Sequence, residues 1–181
     1  MIHDIIHLQP FTKRDIEKLI DWLPNEKAML VWGGLSFHYP LTQDQLIRHI
    51  QLAESISGSH YLFKGVLSDN NEIVGHCELT SVNRLHGLGR ISRVLIGDPD
   101  RRGQGLGQAM LHQLLDFAFH ELNLHRIDLG VFDFNQRAIA CYEKLGFQLE
   151  GVMREARRYQ NEHWNICVMS LLKHEWKGEG S

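Results

Sequence analysis

Glycines and arginines cluster in one short segment, residues 101–107, which reads Arg-Arg-Gly-Gln-Gly-Leu-Gly. The segment separates an apolar stretch ending at Ile96 from a run of leucines at helical spacing. A helix N-terminus leaves backbone N–H groups unpaired and carries partial positive charge, and glycines let a loop close around an anion. The spacing therefore predicts a phosphate or diphosphate cradle, to which Arg101 or Arg102 adds charge. From these residues alone, a glycine-rich turn that merely begins a helix is an equal alternative.

Two other kinds of phosphate loop are excluded. A Walker loop needs Gly-x-x-x-x-Gly-Lys followed by Ser or Thr, and no such string occurs. The dinucleotide pattern Gly-x-Gly-x-x-Gly fails because Gly103 and Gly105 lead to Gln108, and Gly105 and Gly107 lead to Met110. Nucleotide hydrolysis and hydride transfer therefore lose most of their support.

Length and composition favour a single domain over residues 1–176 with a frayed tail at 177–181, since 181 residues with 43% hydrophobic content can bury one core. The formal net charge of −3 gives no general basic field for nucleic acid. Without a long apolar run or a basic leader, we expect no membrane span and a cytoplasmic location. The three cysteines share no metal-ligand spacing, which indicates reduced thiols.

Strand and helix patterns interleave along the chain. Strands are predicted over residues 8–12, 61–67, 72–81, 90–96, 125–131, 147–153 and 164–172. Helices are predicted over residues 12–23, 42–53, 107–123 and 136–145, the first two with Thr12 and Thr42 as N-caps. This order predicts an α/β fold in which helices flank a mixed central β-sheet.

Two motifs of the second half resemble those of the GNAT N-acetyltransferases. One is Arg102-Gly-Gln-Gly-Leu-Gly107, and the other is Asn135-Gln-Arg-Ala-Ile-Ala-Cys-Tyr-Glu-Lys-Leu-Gly-Phe147, which continues into residues 150–154 and the last strand. Residues 90–176 match well, and the first half matches only in element order. The chain is most similar to the branch with ribosomal-protein alanine and spermidine acetyltransferases. The resemblance implies the GNAT acyl-CoA N-acyltransferase fold, with acetyl-CoA as acetyl donor. It also implies an amine-bearing small molecule or protein N-terminus as acceptor, whose primary amine is an N-terminal α-amine, an amino acid, a polyamine or another small amine. No residue spacing predicts a metal site.

The resemblance also implies roles for single residues. The CoA pyrophosphate would bind the backbone of Arg101, Arg102, Gly103, Gln104, Gly105, Leu106 and Gly107. The backbone of Val94, Leu95 and Ile96 would pair with the pantetheine arm, and an amide there would polarise the thioester carbonyl. Asn135 would hydrogen-bond the pantetheine or the acetyl end. Tyr142 would protonate the departing thiolate, which suits a phenol with a pKa of about 10.

The acceptor's base is less clear, because the predicted strand at 90–96 contains no carboxylate where many family members place one. Glu78 is the nearest catalytic candidate by sequence, although an exposed strand carboxylate is the favoured alternative. Deprotonating a lysine-like amine at pH 7 costs about 4.6 kcal/mol, whereas an α-amine costs about 1 kcal/mol. The missing acid therefore favours an N-terminal or amino-acid acceptor.

Three further features have alternative interpretations. His112, Asp116 and His120 recur every four residues, but leucines fill the other side of their helix, so a solvated stripe is favoured over a metal site. His76, beside Glu78, is a candidate to point towards the acceptor. The aromatic segment at 22–39, with a Gly-Gly hinge, either walls the acceptor cleft or is a buried connector.

The leading hypothesis is direct transfer through a ternary complex, with amides near Leu95 and Ile96 stabilising the oxyanion and Tyr142 as acid. Cys141 adjoins Tyr142, but helix neighbours point about 100° apart, which disfavours a covalent acetyl-enzyme. The alternative, from another class, is a non-catalytic acyl-CoA-binding sensor or interaction module. Retention of both Tyr142 and Asn135 argues against it. A homodimer is possible, although no sequence feature predicts one.

Overall fold

The computed structural model describes residues 5–56 and 58–178. A seven-stranded sheet runs through the molecule in the spatial order β1-β2-β3-β4-β5-β7-β6. Its strands are β1 (Ile6–Pro10), β2 (Tyr61–Leu67), β3 (Ile73–Asn83), β4 (Leu88–Ile96), β5 (Arg126–Phe132), β6 (Gln148–Tyr159) and β7 (Glu162–Leu172). The helices are α1 (Ile16–Asp21), α2 (Glu26–Gly33), α3 (Gln43–Ser55), α4 (Leu106–Asp116) and α5 (Gln136–Lys144). The predicted mixed sheet with flanking helices is confirmed.

The sheet opens between β4 and β5, the one parallel pair among the strand pairings of the described residues. These strands pair only through the first three residues of β4, Leu88 to Arg90. Beyond Arg90, β4 keeps β3 as a neighbour, but no strand within 5–56 or 58–178 lies on its other side. A wedge between β4 and β5 results, and it leaves part of the β4 backbone available to a ligand.

Two hydrophobic clusters hold the wedge in place. The apolar stripe of α4 packs into the larger cluster, where Leu114, Leu115 and Phe119 are fully buried. Each such side chain contributes about 1.5–3 kcal/mol by leaving water. The second cluster gathers residues of α1, α2 and α3, with Leu19 and Leu46 at its centre. Because α4 starts directly after the glycine segment, packing of α4 fixes where that segment lies.

Several elements differ from the sequence prediction. The predicted helix at 107–123 is α-helical only to Asp116 and continues as a π-helix from Phe117–Glu121. Helix α2, which the sequence analysis did not predict, begins after Pro24, where the Asn25 side chain accepts a hydrogen bond of 2.9 Å from the Ala28 amide. Strand β6 runs six residues beyond the predicted end at residue 153, to Tyr159.

The prediction of a solvated His112–Asp116–His120 stripe is wrong for His112, which is buried. The ring of Trp176 packs 4.7 Å from the His112 ring, and its indole N–H donates to Asp116 over 2.9 Å. The C-terminal turn therefore covers this face of α4. The described part of the chain contains no group of three or more His, Cys, Asp or Glu side chains arranged to hold a metal ion.

Two further predictions concern the ends of the chain and membranes. Of the predicted tail at 177–181, residues 179–181 lie outside the described residues. Among the helices within 5–56 and 58–178, none combines the length and apolar character needed to cross a bilayer.

Candidate active site

The wedge between β4 and β5 forms a cleft of about 990 Å³. The glycine segment and α5, which contacts α4, line one part of it, and the C-terminal half of α2 with β6 and β7 lines another, where Leu30 and Trp164 share a hydrophobic cluster. The predicted site residues that line it are Val94, Leu95, Ile96, Arg101, Arg102, Gly103, Gly105, Gly107, Asn135 and Tyr142. The cleft therefore brings together most of the residues that the sequence selected from two distant motifs.

The glycine segment adopts a conformation that requires glycine. Gly103 and Gly105 have φ values of 85° and 84°, and Gly105 is the N-cap of α4. A Cβ at Gly103 would meet no atom within 4 Å, so backbone conformation rather than crowding selects glycine there. The loop turns its backbone round the start of α4, where unpaired N–H groups favour an anion.

The two arginines of the segment have different surroundings. Arg102 donates from Nε to the Ile96 carbonyl over 2.9 Å and from Nη2 to the Gly97 carbonyl over 3.1 Å, which ties the loop to the end of β4. Arg101 instead pairs with the Glu72 carboxylate over 2.7 Å. Arg102 is therefore the arginine whose charge no described carboxylate neutralises.

Gln104 and Leu106 do not line the cleft with their side chains. Gln104 donates to the Asp100 carbonyl over 2.9 Å, and Leu106 is buried in the larger cluster. Several cations that the sequence analysis did not select also line it, and two of them, Arg137 and Lys144, belong to α5. No carboxylate of the described chain pairs with either. Their position beside the glycine loop suits the phosphate groups of a CoA molecule.

A β-bulge interrupts β4 inside the cleft. Two steps along β3 separate His76 from Glu78, but three steps along β4 separate their partners, Leu95 and Ser92. The extra residue lies at Arg93, whose φ is 52°. Such a bulge bends the strand and redirects its backbone groups, which makes it a local device for aiming amides into the wedge.

The β3–β4 ladder decides which β4 amides face the opening. The Gly97 amide donates to the Val74 carbonyl over 2.9 Å. Antiparallel strands bond through alternate residues, so the backbone of Leu95 also faces β3, while those of Val94 and Ile96 face the wedge. The prediction that Leu95 offers backbone groups to the ligand is therefore wrong, because its N–H and C=O belong to the ladder. Val94 and Ile96 keep that position.

Tyr142 lies where the two motifs meet. Its side chain is buried, its ring contacts Phe147 edge-on at 5.8 Å, and it lines the cleft. Burial raises the pKa of Tyr142 above its usual value, so the phenol keeps its proton at neutral pH. Asn135 caps α5 by accepting from the Ala138 amide over 3.3 Å, which leaves its NH₂ group to donate. Burial also raises the pKa of the Cys141 thiol, which argues against a thiolate nucleophile.

Glu78 is fully buried, so the favoured interpretation of an exposed carboxylate is wrong. Its oxygens accept from His49 Nε2 at 3.0 and 3.1 Å, from His76 Nε2 at 3.0 Å and from Arg93 Nη1 at 2.7 Å. Burial alone would raise the pKa of Glu78. The histidine hydrogen bonds and the Arg93 charge outweigh burial and hold that pKa well below its usual range.

The Glu78 cluster, consisting of His49, His76, Glu78 and Arg93, meets the cleft only through Arg93. Glu78 and His76 do not line it, so His76 does not point towards the acceptor as the sequence suggested. Nδ1 of His76 and Nε of Arg93 are buried without a hydrogen-bond partner in the described residues. The cluster is therefore a charged support beneath the cleft wall.

Aromatic side chains of the 22–39 segment cover the Glu78 cluster. The Trp32 indole donates to the Arg93 carbonyl over 3.0 Å, and its ring stacks on Phe37 at 5.3 Å. Ser36 accepts from Arg93 Nη2 over 2.6 Å. Residues 31–36 line the cleft while Trp32 and Phe37 are buried, so both interpretations of the segment hold in part.

Comparisons with known proteins identify the family. The acetyltransferase (GNAT) family model matches residues 16–147. YokL, an uncharacterized N-acetyltransferase of SPbeta prophage origin from Bacillus subtilis, is 32% identical over 142 residues, which are 78% of this chain and 77% of YokL. The spermidine N(1)-acetyltransferase of Escherichia coli is 30% identical over 114 residues, 63% of this chain and 60% of that protein.

Solved structures support the same fold. The spermidine N-acetyltransferase of Vibrio cholerae, in complex with CoA and spermine, matches with a TM-score of 0.80 and 22% identity, over 94% of this chain and 96% of that chain. The family model spans the glycine segment, the wedge and Tyr142. The protein belongs to the GNAT family and is an acetyl-CoA-dependent N-acetyltransferase.

Proposed function

We propose that the protein moves an acetyl group from acetyl-CoA directly to a primary amine within a ternary complex. The observation that carries the proposal is a single cleft whose lining includes the glycine loop, Val94, Ile96, Tyr142 and the C-terminal half of α2. Donor and acceptor therefore enter the same opening from its two ends.

The donor end fits acetyl-CoA, which supplies the activated acetyl thioester. The amides at the start of α4, with Arg102, suit its pyrophosphate. Arg137 and Lys144 supply further positive charge. The wedge-facing amides of Val94 and Ile96 suit the peptide-like pantetheine arm, and an amide there stabilises negative charge on a carbonyl oxygen.

Tyr142 serves as the general acid. A buried phenol with a raised pKa stays protonated at neutral pH, so it can donate its proton to the sulfur as the C–S bond breaks. Because a thiol has a pKa of about 8.5, below that of the phenol, the resulting phenolate is a strong base and regains a proton from water or from the acetylated amine. Asn135, the N-cap of the helix that carries Tyr142, offers an amide donor to the same region.

Glu78 acts as a positioning residue rather than as the base. Its pKa is depressed and Arg93 separates it from the cleft, so it is a weak proton acceptor at neutral pH. Its carboxylate instead holds Arg93 and thereby the bulge that aims the β4 amides. An acceptor amine then loses its proton to water, which costs least for an amine of low pKa.

The experiment combines calorimetry with a turnover assay. CoA is titrated into the pure protein, and thiol release from acetyl-CoA is then followed across polyamines (spermidine included), amino acids, aminoglycosides and peptides with free N-termini. Binding of CoA together with amine-dependent thiol release and an acetylated product supports the proposal. Absence of CoA binding overturns it, and CoA binding without release for any amine overturns the transfer step.

A further inference from the structure

The charge of the cleft is strongly one-sided. Among the described residues that line it, none is Asp or Glu, whereas seven are basic: Arg90, Arg93, Arg101, Arg102, Arg137, Lys144 and Arg157. A cleft with this lining carries a positive potential, and low-dielectric walls strengthen it. CoA accounts for positive charge at its own end of the cleft, so the charges at the other end need a separate explanation.

Most of these basic groups already have a partner or a task. Carboxylates outside the cleft lining neutralise three of them, since Arg90 pairs with Asp128, Arg93 with Glu78 and Arg101 with Glu72. Another three, Arg102, Arg137 and Lys144, lie in the glycine loop and α5, at the phosphate end. Arg157 remains.

Arg157 lies on β6, opposite Trp164 of β7, and Trp164 packs with Leu30 of α2, so Arg157 lines the cleft on its α2 side. It is half-buried, and Nη1 donates to the Ala156 carbonyl over 2.7 Å. No carboxylate within 5–56 or 58–178 pairs with it. Its guanidinium is thus a fork of donors with most of its capacity unused.

A second bulge places Arg157 on the cleft side of the sheet. The β6–β7 register shifts between Met153 and Arg157, and Glu155 has a φ of 50°. The amide of Glu155 donates to the Asn165 side chain over 2.8 Å, which fixes this bulge. Asn165 also donates to Asp133, which does not line the cleft. The Asp133 carboxylate is therefore hydrogen-bonded to Asn165 rather than paired with Arg157.

A partly desolvated arginine favours an oxyanion and disfavours a cation. Arg-carboxylate and Arg-phosphate pairs are the strong, bidentate hydrogen bonds of proteins. A polyamine would bring several positive charges beside Arg157 with no lining carboxylate to offset them. From this arrangement we infer that the acceptor is a primary amine that carries an anionic group, a carboxylate or a phosphate, which Arg157 binds. The inference rests on the proposed acetyl transfer.

The inference separates this chain from the spermidine acetyltransferases among its relatives. Those proteins are named for a cationic acceptor. No carboxylate among the described lining residues would balance the positive charge of a cationic acceptor. Membership of the same family therefore does not imply the same substrate. Arg157 is then a specificity residue of the acceptor end.

The test uses matched acceptors and acetyl-CoA at saturating concentration. Each α-amino acid is compared with its amide, aminoethyl phosphate is compared with ethanolamine, and spermidine is included. We expect kcat/KM for the anionic member to exceed that of its neutral partner by about 10- to 100-fold, in line with a charge-assisted hydrogen bond. The two pairs distinguish a carboxylate from a phosphate as the preferred group.

Variants at two adjacent arginines provide the control. Arg157→Gln should remove most of the preference by raising KM for anionic acceptors, and Arg157→Lys should restore part of it as a point charge. Arg158→Gln makes the same charge change at an exposed neighbour that bonds the Gln160 carbonyl and does not line the cleft, so it should keep the preference. Unchanged CoA binding in all three shows that they are folded.

Three outcomes overturn the inference while leaving the acetyltransferase proposal intact: equal kcat/KM for anionic and neutral partners, spermidine as the best acceptor, or an Arg157→Gln variant that keeps the preference. Failure of the underlying proposal looks different, because CoA would then not bind or no amine would release thiol.

Discussion

The donor end and the acceptor end of the cleft are built by different means. Consecutive residues form the donor end, where two glycines at positive φ lead into α4 and Asn135 caps α5. Side chains from four separate elements form the support of the acceptor end, in which His49 of α3 and Trp32 of α2 meet β3 and β4 at the Glu78 cluster. One end depends on local backbone conformation, and the other depends on tertiary packing of charges.

This difference predicts how each end responds to change. A substitution at the donor end should alter ligand binding while the fold survives, because the glycine loop lies on the surface. A substitution in the Glu78 cluster should lower the stability of the fold first, because it leaves a buried charge without its partner.

Tyr142 lies between the two ends, and Tyr142→Phe should lower kcat by about 10²- to 10⁴-fold, the usual contribution of a general acid. CoA affinity should hold, because the hydroxyl acts on the leaving thiolate only during transfer. Stopped-flow thiol release and calorimetry measure the two quantities. Tyr159→Phe is the matched control, since that hydroxyl accepts a hydrogen bond from Gln160 outside the cleft. A kcat unchanged by Tyr142→Phe would contradict the assigned role.

Removal of the buried carboxylate should cost the most stability. Glu78→Ala leaves Arg93 and two histidines without their acceptor, and breaking a buried ion pair costs about 3–5 kcal/mol in the free energy of unfolding. Urea unfolding followed by fluorescence measures it. The double variant Glu78→Ala/Arg93→Ala should recover part of the loss, because the unpaired charge is gone. If the free energy of unfolding falls by less than about 1 kcal/mol, the ion pairs of Glu78 contribute no more than ordinary surface ion pairs do.

The same group should give the protein an acid-sensitive stability. The pKa of Glu78 lies below its value in the unfolded chain, so its contribution is complete above about pH 4.3 and is lost as pH falls below that value. Urea midpoints between pH 7 and pH 3 measure the decline. Glu78→Gln, which cannot ionise, should flatten the dependence of the urea midpoint on pH in this range. If the variant and the wild-type protein instead lose stability in parallel, the acid sensitivity belongs to other carboxylates.

The donor end could be proposed from the sequence because the features that suggest it are local. Helix caps, glycine spacing and the position of Tyr142 relative to Asn135 are properties of a few neighbouring residues. The prediction still assigned Leu95 wrongly, since the direction of its amide depends on the ladder with β3. Alternation along a strand is visible in a sequence, but the bulge at Arg93 that sets its phase is not.

The acceptor end was predicted poorly for a related reason. Glu78 looked like an exposed strand carboxylate because its partners His49 and Arg93 are 29 and 15 residues away. The sequence analysis did not select Arg157 either, because its exposure to the cleft depends on a bulge in β6. The signal that the sequence did offer was negative. The absence of an acid from β4 favoured an N-terminal or amino-acid acceptor over a lysine-like amine, and the cleft lining, which has no carboxylate among the described residues, supports the same preference.

Gly105→Ala should weaken CoA binding without unfolding the protein. Its φ of 84° is left-handed, and this backbone conformation costs an L-residue about 1–2 kcal/mol. If the loop shifts to relieve that strain, the dissociation constant of CoA should rise by a factor of about 5–30. Calorimetry measures the affinity, and thermal unfolding checks the fold. Gly151→Ala, in β6 with no atom within 4 Å of the added Cβ, is the control. Equal CoA affinity for both variants would exclude a specific loop conformation.

The smallest expected effect tests whether the aromatic cover and the bulge act together. Trp32→Phe keeps an aromatic ring against Phe37 but removes the hydrogen bond to the Arg93 carbonyl, worth about 0.5–1.5 kcal/mol. If the bulge only supports the acceptor end, KM for the amine should rise while the dissociation constant of CoA stays constant. If both constants rise together, the bulge also sets the amides of Val94 and Ile96, and the two ends of the cleft are mechanically coupled through Arg93.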